Sequence, residues 1–330
     1  MALDLFIVKS IIRFHLLNMN KVPIVFAFDN KLVMPASVCI ASLMMNANEE
    51  TFYDIFILHP SAEFDTSLID QVADAYSNCR VTFLRIADTF SSAFETRGVT
   101  VPTYYRLLIP DLILEYDKVI YSDVDMIFRM DLSDIYSTTL RDEYLAATYD
   151  LGMNLGRDGR RYINSLPGLK EGKYIQAGFL IINSRKMRED NVVKVLKEYA
   201  KNKFKFQDQD ILNIVCADKI KILPMACNMT DYSFLYSTRD RQSVERFVGA
   251  QEEVDFALAS GNLHYNGHKP WIKYSVNFDI WWEYYRKSPA FSPEFYFDFF
   301  YGKLNELDQL SLWKRIKVLL RYFVYGRRTY

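Results

Sequence analysis

Between residues 22 and 86 the chain repeats one pattern: a short apolar run, a polar stop, then apolar residues at helical spacing. Short apolar runs bounded by turns read as buried strands, and the 3.6-residue period between them reads as helix. The first strand covers 22–28 and stops at Asp29-Asn30-Lys31; helical spacing follows from near Pro35, with Val38, Ser42 and Met45 on one side. Proline is well placed in a first helical turn. A second strand runs over 54–58 to the turn at His59-Pro60, helical spacing returns over 64–76, and a third strand covers 80–86. This alternation predicts an open α/β sheet with crossover helices.

The pass continues with a helical patch at 103–108 and strands at 118–122 and 144–148. A polar, Gly- and Arg-rich stretch over 152–172 reads as a long loop or lid. Beyond it the spacing predicts a strand at 175–183, helices at 185–201 and 207–215, and a strand at 219–223. No Pro/Gly/Ser-rich linker divides residues 21–275, which therefore read as one domain. An apolar-basic extension, 1–20, with the pattern of a short amphipathic helix precedes it, and a helical extension, 276–330, follows.

In open α/β sheets ligands collect outside the carboxyl ends of the strands. Asp29 and the pair Asp123-Val124-Asp125 both stand at such ends, so one site can contain both. Carboxylates at i and i+2 of an extended backbone point to one side. Crowding two like charges is costly unless a cation or hydrogen-bonded partners neutralise them. An oxygen pair of this kind suits a hard divalent ion such as Mg²⁺ or Mn²⁺; two solvated turn aspartates are the plainer alternative.

Bulk charge says little about partners. The 40 basic and 41 acidic residues nearly cancel, which points to neither nucleic acid nor an acidic substrate. Four scattered cysteines, with no C-x-x-C, argue against a disulfide framework or a zinc site and for a reducing compartment. The 23 Tyr and 24 Phe are compatible with sugar-stacking surfaces, but most are expected in the core. Asp4, Lys9 and Arg13 interrupt the N-terminal apolar stretches, so no secretory signal is expected, and no apolar run reaches the ~18 residues of a spanning helix.

Four further segments accompany the aspartate pair: Val25-Phe26-Ala27-Phe28-Asp29-Asn30, Tyr104-Tyr105-Arg106-Leu107, Gln207-Asp208-Gln209-Asp210-Ile211-Leu212-Asn213 and His264-Tyr265-Asn266-Gly267-His268-Lys269-Pro270-Trp271. Together, in this order, they resemble glycosyltransferase family 8, which includes glycogenin and the bacterial galactosyl- and glucosyltransferases of lipopolysaccharide synthesis. The stretch from Trp282 to Pro289 and the tail behind it resemble the C-terminal extension of the lipopolysaccharide glucosyltransferases. The resemblance implies a Rossmann-like mixed sheet of the GT-A nucleotide-sugar transferase type, a UDP-hexose donor (UDP-glucose or UDP-galactose), Mn²⁺ with Mg²⁺ as the alternative, and retention at the anomeric carbon.

On the same resemblance, Asp123, Asp125 and His264 are the metal ligands, Ala27 lies under the uracil, and Asp29 contacts the uridine. Val124, Gln176 and Ala177 belong to the nucleotide-sugar site, Arg106 bridges donor and metal, and Gly267 and Lys269 serve the pyrophosphate. Asp208 binds sugar hydroxyls, and Gln209 sits on the β face near the anomeric carbon. An amide is a poor nucleophile, which favours front-side attack with Gln209 stabilising positive charge over double displacement through Asp208 or Asp210. Three departures from the family pattern stand out: Gln176 replaces the usual Asn, Lys269 follows His264 one residue early, and Lys31 replaces an uncharged residue.

From Leu310 to Tyr330 the chain carries Lys314, Arg315, Lys317, Arg321, Arg327 and Arg328 and no acid, with Leu312, Ile316, Leu319, Leu320 and Phe323 at helical spacing. That is the pattern of a basic amphipathic helix in a membrane interface. The expectation is thus a cytoplasmic enzyme, peripheral on the inner face of a bacterial membrane, whose acceptor is the lipopolysaccharide outer core or another glycolipid. Other glycan, capsule or protein acceptors are the alternatives, as is a non-catalytic nucleotide-sugar-binding protein. Phosphatases of the haloacid-dehalogenase type also open with D-x-D, but here the pair comes late and no G-D-x-x-x-D follows.

Overall fold

The computed structural model describes residues 19–86, 90 and 101–325; the first eighteen residues of the extension expected over 1–20, and the last five residues of the chain, lie outside them. Strands β1 (Asn20–Ala27), β2 (Thr51–His59), β3 (Cys79–Arg85), β4 (Val119–Ser122), β6 (Leu145–Tyr149), β7 (Ile175–Ile182) and β8 (Ile220–Ile222) form the main sheet. Their order is β3-β2-β1-β4-β7-β6-β8. β1 to β4 are parallel, β7 runs antiparallel between β4 and β6, and β8 pairs parallel with β6. The expected mixed α/β sheet is therefore present.

Its strands are apolar on both sides because both faces are covered. Along β1 the side chains alternate between layers. Ile24 and Phe26 join the core beneath helix Val33–Met45, whereas Val25 joins Tyr104, Tyr121 and Leu212 on the opposite face. Strand order reverses between β1 and β4, and a crevice forms at such a switch point. The last register pair there is Phe26–Ser122, so Ala27 and Asp123 emerge side by side.

A second, three-stranded sheet escaped the sequence reading: β5 (Met126–Ile127), β9 (Met229–Thr230) and β10 (Leu263–His264), in the order β5-β10-β9. Its strands have two residues each, too short to carry a period. It lays His264 opposite Met126, directly after the aspartate pair.

Two expectations need correction. The stretch over 152–172 is not one long loop: helices Leu151–Leu155 and Arg157–Ser165 occupy most of it, the first capped by the Asp150 side chain on the Met153 N–H. Its glycines and arginines obscured the period, yet Ile163 is buried. The single helix expected over 185–201 is two, Ser184–Glu189 and Val192–Tyr199, broken where Asn191 adopts a left-handed φ of 55°. Asparagine tolerates that conformation better than most residues.

Helices Phe278–Lys287 and Pro293–Asp308 close the C-terminal end with an aromatic cluster. Trp282 is 1% exposed, with its ring centroid 4.6 Å from Phe299 and 5.0 Å from Phe300. The largest fully buried side chains of the described residues are all aromatic, and most of the Phe and Tyr belong to the hydrophobic clusters or pack against them partly buried. Trp282→Ala is expected to cost about 3–5 kcal/mol through the cavity it leaves. Urea unfolding followed by circular dichroism should show its midpoint well below that of Trp313→Ala, a position 80% exposed.

Candidate active site

Asp123 leaves β4 with its N–H on the Gly178 carbonyl of β7, 2.8 Å away. Its Oδ1 accepts from Arg106 Nη2 and from the Tyr121 hydroxyl, both at 2.7 Å. Asp125 is tied to β10 by the Tyr265 N–H on its carbonyl, at 2.9 Å. That link brings His264 Nε2 to 3.2 Å from Asp125 Oδ1 and 3.7 Å from Asp123 Oδ2. One ligand atom from each of Asp123, Asp125 and His264 lies within 4.8 Å of the others.

A hydrogen-bond relay fixes which nitrogen of His264 faces the carboxylates. A backbone amide can only donate, and the Gly178 N–H donates to Gln176 Oε1. The same oxygen accepts from Asn228 Nδ2 at 2.7 Å, which turns Asn228 Oδ1 toward His264 Nδ1 at 2.9 Å. Nδ1 therefore donates to Asn228, and Nε2 is the nitrogen turned to the carboxylates, able to carry a proton or to give its lone pair to a metal ion, the arrangement that orients metal-bound imidazoles. Burial disfavours the imidazolium, but Asp125 and Asp123 outweigh it and raise the pKa of His264.

The ligand set fits a divalent ion: two carboxylates and one oriented imidazole, set beside a glycine whose missing side chain leaves them in place. A Cβ on Gly178 would press on His264 Cε1 and stand 2.7 Å from Asp123 Oδ2. Lys269 Nζ forms an ion pair with Asp125 and donates to the Tyr265 carbonyl at 2.6 Å. It thus stands beside the metal site. Gly267 packs on Asp231, whose Oδ2 accepts its N–H at 3.2 Å and leaves no space for a Cβ.

Arg106 is 5% exposed and joins the carboxylates into one unit. Beyond Asp123 it reaches Asp208 Oδ2 with Nε at 3.1 Å and the Ala177 carbonyl with Nη1 at 2.6 Å, and it lies over the Tyr121 ring at 4.3 Å. Burial works against its charge, yet Asp123 and Asp208 more than compensate and push its pKa above the ordinary value. Asp208 is itself pushed up to about 6, by burial first, with Arg106 pulling down and Asp123 pushing further up.

Gln209 is held at both ends of its amide: Oε1 accepts from the Ala177 N–H at 3.1 Å and Nε2 donates to Asp150 Oδ2 at 3.0 Å. Asp210, fully buried, takes the Tyr162 and Tyr174 hydroxyls and the Phe206 N–H. These bonds make it a structural anchor.

A cavity of about 560 Å³ opens over these groups, lined by Arg106, Asp123, Asp150, Gln176, Asp208 and Gln209 among others. Ala27 and Asp29 lie beyond its lining at the end of β1, where Asp29 caps the turn Asn30–Leu32 through the Lys31 N–H at 3.0 Å. The Val124 side chain packs into the core and does not line the cavity.

The sequence profile described as Glycosyl transferase family 8 matches residues 23–274. The chain belongs to glycosyltransferase family 8. A Haemophilus influenzae relative, whose name assigns it only provisionally as a glycosyltransferase, is 30% identical over 213 residues, 63% of this chain and 63% of that protein's length. The lipopolysaccharide 1,2-glucosyltransferase of Escherichia coli is 24% identical over 255 residues, 74% of this chain and 72% of that enzyme. Among solved structures, the galactosyltransferase LgtC with donor and acceptor sugar analogues superposes with a TM-score of 0.63 at 24% identity, over 79% of this chain and 94% of that one. The fold is thus the GT-A fold of this family, with a helical C-terminal extension.

Family membership leaves three residues of this site that motif reading passed over. Asn228, Asp150 and Gly178 act on the motif residues and carry no motif of their own; the run Gln176-Ala177-Gly178 was the nearest signal. Gly178→Ala should weaken divalent-cation binding at least tenfold by displacing His264 and Asp123, with far-ultraviolet circular dichroism unchanged; titration calorimetry checks this.

Asp208 yields a second expectation. Its folded pKa of about 6 lies above the ~3.9 of an unfolded chain, so the fold gains from holding that proton. The gain is complete below about pH 4 and is lost as pH rises through about 6. Asp208→Asn should therefore melt a few degrees above the parent at pH 8, and the difference should vanish near pH 4 in differential scanning fluorimetry.

Proposed function

We propose that this member of family 8 is a retaining hexosyltransferase that moves glucose or galactose from its UDP-sugar to a glycan or glycolipid acceptor. The observation that carries the reading is the convergence of Asp123, Asp125 and His264 Nε2 with the Arg106–Asp208 pair, at the carboxyl ends of the strands. A divalent ion on those three ligands, Mn²⁺ by the mixed oxygen and nitrogen donors, would offset the charge of the departing diphosphate. Lys269, freed from Asp125, would add a cation on the same group, and Asp29 with Ala27 would receive the uridine.

On the sugar side, Asp208 would accept from donor hydroxyls while Arg106 keeps it in place. Gln209 cannot rotate without giving up the Ala177 N–H or Asp150. Its fixed dipole supports charge stabilisation during front-side attack. Asp210 is spent on three internal donors, which argues against double displacement through it.

Lipopolysaccharide is the favoured acceptor class, by similarity to the Escherichia coli glucosyltransferase. The surface supports a membrane-bound acceptor. Helix Leu312–Tyr325 presents Leu312, Trp313, Leu320 and Phe323 at 58–80% exposure beside exposed Lys314, Arg315 and Lys317. No helix among the described residues is long and apolar enough to cross a membrane, so the association would be peripheral.

Incubated with UDP-glucose or UDP-galactose and Mn²⁺, the protein should release UDP slowly without an acceptor. Asp123→Ala and Asp125→Ala should lower that rate by at least a hundredfold, and hydrolysis that survives full chelation would remove the metal from the mechanism. Products should keep the α configuration by NMR; a β linkage from the α donor would overturn retention. Deletion of residues 310–330 should leave UDP binding intact and abolish sedimentation with phosphatidylglycerol vesicles, which in the parent should weaken as salt rises. Equal sedimentation of both proteins would disprove the membrane role.

A further inference from the structure

The aromatic part of the cavity wall has a chemistry of its own. Tyr162, Phe206, Tyr232 and Tyr236 line it, and Tyr232 is 54% exposed at the mouth. Tyr162 and Phe206 meet edge to face at 5.4 Å, and the Tyr162 hydroxyl is fixed by Asp210 at 2.6 Å. Rigid aromatic faces with a polar tip suit the apolar faces of sugar rings.

Around this wall positive charge accumulates. Helix Arg157–Ser165 carries Arg157, Arg160 and Arg161, and the adjoining loop carries Lys203 and Lys205; within residues 157–165 and 202–206 Asp158 is the one acid. The two segments touch: the Lys205 N–H donates to the Tyr162 hydroxyl at 3.2 Å, and Lys205 Nζ lies 5.1 Å and 5.2 Å from the Tyr162 and Phe206 rings. Asp158 and Lys205 line the cavity itself. Arg157 and Arg161 reach Asp158 only at 3.8 Å and 3.7 Å with side chains 77% and 70% exposed, so two guanidinium groups share one carboxylate at the mouth. This charge belongs to the rim alone: the lining beneath it carries Asp123, Asp150, Asp158 and Asp208 against Arg106 and Lys205.

We propose that the aromatic wall and the Arg157–Arg161–Lys205 rim bind an acceptor sugar carrying an anionic substituent, a phosphate monoester or a carboxylate. The inference rests on the glycosyltransferase reading above and names the acceptor's chemical class. Guanidinium forks match such oxyanions in two-point geometry, and a cationic mouth raises the local concentration of an anionic substrate. A neutral acceptor would need the rings but not the charge.

The test uses the full-length protein loaded with UDP and Mn²⁺, with glucose, glucose 6-phosphate and glucuronate as probes in titration calorimetry and saturation-transfer NMR. At least one charged sugar should bind ten times more tightly than glucose or better, and the preferred one identifies the substituent. Arg157→Gln combined with Arg161→Gln should erase most of that advantage while acceptor-free UDP-sugar hydrolysis stays unchanged. Equal binding of the three sugars, an advantage that survives in the double variant, or competition by inorganic phosphate as strong as by the charged sugar would each overturn the proposal. So would a double variant that loses vesicle binding but keeps its sugar discrimination, which would make the rim a membrane contact. Anion preference without any UDP-sugar hydrolysis would instead retain the site and refute the transferase reading.

Discussion

Three carboxylates, Asp123, Asp125 and Asp208, crowd the end of β4, and the surrounding structure is arranged around the cost of keeping them there. Like charges removed from water repel strongly and are held only by paired cations and hydrogen bonds. Arg106 supplies the main compensation by bridging Asp123 and Asp208, and Lys269 with His264 supplies the rest at Asp125. Since Arg106 is nearly inaccessible, its charge depends on these acids, on Asp123 above all, and loss of Asp123 would leave a buried ion poorly paired. That shared dependence is why residues far apart in the sequence act as one site.

The polarity of the site is decided elsewhere, at a main-chain group. The Gly178 N–H sets the Gln176 oxygen, that oxygen sets Asn228, and Asn228 sets His264. Every other group in this relay can flip or change tautomer; the backbone amide cannot. The sheet that carries Gly178 therefore determines that Nε2, and no other nitrogen, is offered beside the two aspartates. Among the described glycines it is the one where a Cβ would strike the imidazole and a carboxylate together. Gln176 differs from the family's usual asparagine, yet its longer arm still closes this relay.

Periodicity made the main sheet readable because its strands are continuous apolar runs and its helices are long enough to show a face. It failed where elements are short or polar. β5, β9 and β10 have two residues each, and the helices within 151–165 carry glycines and arginines that dilute the spacing. In the candidate site, the aspartate pair, His264, Arg106, Asp208 and Gln209 were visible as motif residues, and the structure brings them together. Asp150 was not, since its partner Gln209 lies far along the chain and the cap it provides begins a helix the spacing concealed. Lys269 shows the converse: the residue was readable, but its pairing with Asp125 depends on a loop path that spacing does not encode.

Asp208 and Gln209 are placed by a local conformation that would otherwise be disfavoured. Gln207, a non-glycine residue with φ of 46°, turns the chain into helix Gln207–Cys216 just before the two site residues. Such a conformation costs on the order of 1–3 kcal/mol and persists only where neighbours enforce it. Asp210 provides the enforcement, since it takes the Phe206 N–H ahead of the turn and clamps Tyr162 and Tyr174 across it. One buried carboxylate thus holds the strained entry, the donor-side residues and, through Tyr162, the aromatic wall of the cavity. Asp208, Gln209 and the proposed acceptor wall share that anchor, so movement of the wall cannot be independent of the two residues.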